Sequence, residues 1–109
     1  MTTKALHRVL QDPDLLLAMT AFLADVRIED GRATGRVFAD VLERFAEGMR
    51  IRTGRIAQVR RLNGYWTIRT VNYSQYLIVS FDPADGLATF ANYAWLLFSE
   101  AHPAPSTLQ

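Results

Sequence analysis

The chain has 109 residues and a formal net charge of +1; half of its residues are hydrophobic and 21% are charged. This length accommodates one domain, and the composition excludes an intrinsically disordered chain. The absence of cysteine excludes disulfides, thiolate metal sites and cysteine nucleophiles, and it fits a reducing compartment.

The first elements in chain order are two helices. Residues 3–11 have an apolar stripe at helical spacing and predict a short helix. Asp12 then suits the N-cap of a second helix, and Pro13 suits its first position. The apolar stretch from Leu15 to Leu23 is expected to continue this second helix, buried on most sides.

The pattern changes after Asp25, where apolar and charged residues begin to alternate and predict a strand. Asp30-Gly31 predicts a hairpin turn, with a return strand over Arg32–Phe38. The next stretch, FADVLERFAEGM, has apolar residues at helical spacing and predicts a short helix that ends near Gly48.

Residues 50–81 predict an antiparallel meander. Three runs rich in β-branched and aromatic residues predict strands over 50–61, 65–71 and 75–81. Asn63-Gly64 predicts a two-residue turn between the first two, because both positions adopt positive φ at low cost. The third run has apolar residues on both faces, which is typical of a strand buried on both sides.

Asp82 and Pro83 end the sheet and suit the start of a C-terminal helix through Ala101. A short strand over Leu87–Phe90 followed by a helix is the alternative. The expected fold class is α+β: N-terminal helices, an antiparallel β-meander core and a C-terminal helix. We expect a single domain over residues 1–102 and a flexible tail over 103–109.

The sequence offers no export or membrane signal. Charged residues such as Arg8 and Asp12 interrupt the N-terminal stretch, unlike the apolar core of a signal peptide. The apolar run from Ala94 to Phe98 is too short to span a bilayer. We expect a cytoplasmic protein with no membrane partner.

No catalytic, cofactor or metal pattern is present. The chain has two histidines, His7 and His102, without patterned partners, and no glycine-rich nucleotide-binding motif. The carboxylates that are close in sequence lie at expected helix caps or turns, where acidic residues are favoured for structural reasons. They are Asp12 and Asp14, Glu29 and Asp30, and Asp82 and Asp85. We therefore predict a protein that is not an enzyme. A hydrolase or transferase remains the alternative, with a site built from scattered residues such as Asp40, Glu43, Arg69 and Tyr76.

The charge is unevenly distributed. Residues 1–49 carry six basic and eight acidic groups, residues 50–81 carry six arginines and no acid, and residues 82–109 carry three acids and no Lys or Arg. In an unbroken strand, alternation places Arg50, Arg52 and Arg60 on one face. Arg55 and Ile56 break the alternation, and a bulge at Gly54 is expected to reset it. Arginines interleaved with aromatics suit either an acidic protein or a nucleic acid. The partner-binding candidates are Arg50, Arg52, Arg60, Arg61, Arg69, Tyr65 and Tyr73. Ion pairing of these arginines with the acidic flanks is the structural alternative.

The segment from Trp95 to Phe98 has more apolar surface than one helix face normally buries. It is compatible with a homodimer through this segment or with a helix that lies deep in the core.

Part of the chain resembles small phage and prophage proteins of unknown function. The resemblance follows a Gly-x-Val strand, an Arg-Phe-x-x-Gly turn, an Ile-x-Thr-x-x-Ile strand and a Thr-x-Asn-x-x-Tyr strand end. The matching residues are Gly35, Val37, Asp40, Arg44, Phe45, Gly48, Ile51, Thr53, Ile56, Thr70, Asn72 and Tyr76. Gly54 and Tyr73 depart from it, where serines are usual. The resemblance covers under half of the chain and transfers no functional residue. It implies an accessory protein that inhibits or tunes a host defence complex, or regulates the mobile element itself.

Overall fold

Five strands form a closed barrel, preceded by two short helices and followed by one long helix. The computed structural model describes residues 2–101, with side chains described for 4–100. The helices are α1 (Thr2–Leu10), α2 (Pro13–Ala18) and α3 (Gly86–Ala101); the strands are β1 (Ala21–Glu29), β2 (Arg32–Phe38), β3 (Arg50–Leu62), β4 (Tyr65–Thr70) and β5 (Gln75–Ile78). The expected α+β class and antiparallel meander are confirmed. The predicted tail and His102 lie outside the described residues.

The barrel closes through a parallel pair. Consecutive strands are antiparallel, so the first and fifth strands run in the same direction and meet in parallel. Both predicted two-residue turns are present, with φ of 52° and 74° at Asp30 and Gly31 and of 50° and 84° at Asn63 and Gly64. These turns fix the register of the strands that they join.

The apolar core has two parts. One fills the barrel and includes Leu23, Ile68 and Phe90; the other packs Leu15 of α2 against Leu77 of β5 on the outside. β5 is therefore buried on both faces, as its sequence predicts.

The prediction of a helix through Leu23 is wrong beyond Ala18. Met19 adopts an extended conformation, and Thr20 N donates to the Gln75 carbonyl at 2.7 Å, which leads the chain into β1. β1 is buried on both faces at its start, so its sequence reads as one unbroken apolar run. Periodicity does not distinguish such a strand from a buried helix.

The helix expected before Gly48 is also wrong, because this segment is a loop without helix. The Asp40 carboxylate accepts from the backbone N–H groups of Leu42 at 3.2 Å and Arg44 at 2.8 Å. Side-chain acceptors of this type compete with the helical hydrogen-bond pattern. Positive φ at Glu43 also interrupts helical geometry.

The chain between β5 and α3 differs from its prediction at two points. β5 ends at Ile78 rather than residue 81, and Phe81 forms an isolated bridge with Val26. Residues 83–85 form a turn before α3, with the Asp82 carboxylate accepting from Ala84 N at 2.8 Å. The alternative strand over residues 87–90 is wrong, since these residues are helical.

Candidate functional site

Helix α3 is fixed against the barrel by a buried ring and two hydrogen bonds. The Phe90 side chain is 3% exposed and belongs to the interior core. The Thr89 hydroxyl accepts from Ile28 N at 2.9 Å. The Tyr93 hydroxyl donates to the Ile56 carbonyl of β3 at 3.1 Å. These contacts determine which side of α3 faces away from the core.

A second apolar stripe runs along α3 beside its buried face. Leu87, Ala91, Trp95 and Phe98 are spaced by four, four and three residues, which places them on one side of the helix. Trp95 is 66% exposed, and its ring centroid lies 6.1 Å from that of Phe98 in a stacked arrangement. The barrel does not bury this stripe.

A groove of about 820 Å³ lies between the stripe and the hairpin formed by β3 and β4. Its hairpin wall consists of Ala57, Gln58, Val59, Trp66 and Arg69. The volume falls in the range of roughly 300–1,000 Å³ that is usual for binding pockets, and the lining is mainly apolar with few polar groups. The arrangement suits the binding of apolar side chains.

β3 contains two irregularities that set the direction of its arginines. The pairing with β2 shifts between Arg52 and Arg55, in agreement with the predicted bulge at Gly54, and the pairing with β4 shifts at Ala57. Each shift reverses the alternation of side chains between the two faces, so the two together restore it. Arg52 and Arg60 therefore both point away from the interior. Eight residues of strand separate them, roughly 26 Å. The predicted arginines therefore do not converge on a single site.

Among the described residues, the arginines of segment 50–81 form one ion pair. Arg52 lies 3.6 Å from Asp30, and both side chains are exposed. The other ion pairs join acids to arginines outside this segment, namely Asp25–Arg36, Glu29–Arg27, Asp85–Arg27 and Asp40–Arg44. Neutralisation by the acidic flanks thus applies to Arg52, and the hairpin keeps its positive charge.

Two arginines of the hairpin lie over aromatic rings near the groove. The Arg61 guanidinium is 4.7 Å from the Trp66 ring centroid, and that of Arg69 is 4.8 Å from the Tyr73 ring, which is 75% exposed. Such cation–π contacts orient a cation without neutralising it. Tyr65 packs instead against the core under α1 and α2. The structure brings Arg61, Arg69 and Tyr73 close to the groove wall and leaves Tyr65 away from it.

The scattered residues suggested for a hydrolase or transferase site, Asp40, Glu43, Arg69 and Tyr76, do not all lie close together. Arg44 Nη2 donates to the Asp40 carboxylate at 3.2 Å and to the Tyr76 hydroxyl at 3.3 Å. Burial raises the pKa of the Asp40 carboxyl, but hydrogen bonds from Arg44 and from backbone N–H groups outweigh it and hold the pKa below its ordinary value. Glu43 is exposed, and Arg69 lies at the groove. The Asp40 cluster holds the loop after β2 in place.

The sequence alone does not place Trp66 at the site. Ile68 and Thr70 of β4 are buried. Trp66 on the same face is half-buried, packs against the core and forms part of the groove wall. The sequence does contain a signal for the α3 wall of the groove. Leu87, Ala91, Trp95 and Phe98 recur at intervals of four, four and three residues, which adds a second apolar stripe to the one that faces the core.

No known protein family, curated protein or solved structure matches this chain. Within residues 2–101, no helix is long and apolar enough to cross a membrane. The same residues contain no group of three or more His, Asp or Glu side chains placed to hold a metal ion. The groove and the charged hairpin beside it are therefore the candidate functional features of the described residues.

Proposed function

We propose that this chain is a small, non-enzymatic accessory protein that binds a macromolecular partner, with a protein as the favoured partner. The groove between α3 and the β3–β4 hairpin carries the proposal. Trp95 and Phe98 form an exposed aromatic pair beside a concave wall, and aromatic anchors of this kind dominate the energetics of protein interfaces. Covering them would stabilise a complex by roughly 25 cal/mol for each Å² of apolar surface removed from water.

The resemblance of residues 31–81 to phage and prophage proteins supports an origin in a mobile element. In this form of the proposal, the protein inhibits or tunes a host defence complex, or regulates the element itself. Its small size and the absence of a catalytic pattern in the sequence agree with such a role.

Affinity capture with matched variants tests the proposal. Trp95→Ala combined with Phe98→Ala removes the anchors, while Leu96→Ala removes an exposed apolar side chain from a different side of α3. We expect a protein partner in lysates of bacterial hosts that is retained by Leu96→Ala and lost with the double variant. Retention by the double variant, or no specific partner at all, would contradict groove binding.

Nucleic-acid binding by the hairpin is the second candidate. It is supported by arginines that have no ion pair among the described residues, and by Arg69 beside the exposed Tyr73 ring. Replacing Arg61 and Arg69 with glutamine should weaken binding. The slope of the logarithm of the binding constant against the logarithm of the salt concentration should become shallower by about one for each lost phosphate contact. Arg52→Gln, distant and ion-paired, is the matched control. Anisotropy of labelled DNA and RNA at about 50 and 200 mM salt measures this, and no binding at the lower concentration removes the candidate.

A further inference from the structure

β3 is longer than the partner strand on either side of it. Residues 50–55 pair with β2, and residues 56–62 pair with β4. In the described part of the chain, no strand pairs with residues 57–62 on the side away from β4. We call this side the open edge of β3. An open edge is a template to which another strand can pair.

The turn after β3 determines which backbone groups face the open edge. In a two-residue hairpin, the closing residues Leu62 and Tyr65 form a hydrogen-bonded pair. Because bonded and non-bonded pairs alternate in an antiparallel ladder, Arg60 also directs its backbone groups to β4. The N–H and C=O groups of Val59 and Arg61 therefore face the open edge.

Helix α3 runs beside this edge. The Tyr93 hydroxyl donates to the carbonyl of Ile56, the residue directly before the open edge. Beyond it, Ala57 and Val59 face the α3 stripe across the groove. A strand placed here would pair with β3 and direct alternate side chains onto Trp95, which is how extended peptides bind between a sheet edge and a neighbouring wall.

The charge of the edge indicates the chemistry of the occupant. Arg60 and Arg61 form no ion pair among the described residues, and residues 57–62 contain no acid. A second copy paired along this edge would bring arginines next to arginines, which is unfavourable across strands. Acidic side chains on the face away from the α3 stripe would instead meet Arg60 with opposite charge.

We propose that the groove receives an extended, acidic segment of the partner protein, which adds as a strand to the open edge of β3. Alternate apolar side chains of the segment contact the α3 stripe, and the acidic side chains between them lie on the opposite face, near Arg60. This inference rests on the proposed protein-binding function and specifies the partner.

Synthetic peptides test the inference directly. The probe is a fluorescein-labelled peptide of about eight residues that alternates valine and glutamate, a length typical of a strand. A second peptide has lysine for glutamate, and two others carry N-methyl groups on every second amide, in one register or the other. Anisotropy is measured with the wild type, Trp95→Ala and Leu96→Ala. Sedimentation of the wild-type protein alone gives its oligomeric state.

We expect the acidic peptide to bind, and one N-methyl register to lose binding while the other retains it. The lysine peptide and Trp95→Ala should each weaken binding at least about tenfold, and Leu96→Ala should leave it unchanged. Equal binding of both N-methyl peptides, or failure of every peptide, overturns strand addition. If the groove variants still abolish capture of a protein partner, the proposed function survives that result. A dimer that Trp95→Ala dissociates identifies a second copy as the occupant and overturns the acidic segment.

Discussion

Replacing Gly86 with alanine should destabilise the protein, although alanine is the better helix former. A Cβ atom at this position would lie 2.2 Å from the Val26 carbonyl oxygen and 3.1 Å from Cβ of Phe81. The Val26 carbonyl accepts from Asp82 N at 2.9 Å, so its position is fixed between β1 and the turn before α3. The first residue of α3 therefore has no room for a side chain.

The magnitude follows from two opposing effects. Alanine in place of glycine stabilises a helix interior by up to about 1 kcal/mol, and less at a first position. Forcing an added carbon into a packed site costs typically about 1–3 kcal/mol, and here the nearest atom belongs to the backbone. We expect a net loss of about 1–2 kcal/mol in the free energy of unfolding, equivalent to roughly 4–16 °C in melting temperature for a domain of this size.

Urea denaturation followed by tryptophan fluorescence measures this loss. Gly54→Ala is the matched control, because the nearest atom to its added Cβ lies at 3.7 Å, an ordinary contact distance. We expect the control to differ from wild type by no more than about 1 kcal/mol. A Gly86→Ala protein as stable as the wild type, or more stable, would refute the packing of α3 against β1.

Two further predictions concern the core and the loop after β2. Phe90→Ala should lower the free energy of unfolding by about 3–5 kcal/mol, whereas Trp95→Ala, outside the core, should change it by no more than about 1 kcal/mol; thermal denaturation separates them. Asp40→Asn should cost about 1–3 kcal/mol at neutral pH. The folded pKa of Asp40 is lowered, so its contribution is complete above the ordinary value of 3.8 and is lost as the pH falls through the folded value. The difference between wild type and variant in urea should shrink at acid pH, and a constant difference would contradict the assignment.

The parts of the fold that the sequence predicts correctly depend on local chemistry. Asp30-Gly31 and Asn63-Gly64 adopt positive φ at low cost, so each hairpin turn is predicted from two residues. Asp12 likewise caps α2 through its own carboxylate, which accepts from Asp14 N at 3.0 Å. Such features require no knowledge of the distant chain.

The incorrect predictions depend on distant contacts. The start of β1 is buried outside the barrel by the N-terminal helices and inside by the core, and this double burial removes the alternation that marks a strand. The loop after β2 has helical spacing, but the Asp40 carboxylate binds the backbone N–H groups that a helix would use. The open edge of β3 arises because two different strands share its length. The periodicity of a sequence does not show which distant elements bury a segment or which strands pair with it.

The four apolar residues from Trp95 to Phe98 lie on different sides of α3, and only part of their surface is packed on the barrel. Successive residues of a helix are about 100° apart, so four in a row cannot share one face. Leu97 packs on the barrel core, Trp95 and Phe98 line the groove, and Leu96 is exposed elsewhere. A helix that only covered the barrel would need apolar residues on the Leu97 face alone. The second face has large aromatic rings, a concave wall opposite and, beside it, arginines that form no ion pair within the described residues. The proposed binding of a partner would use all three.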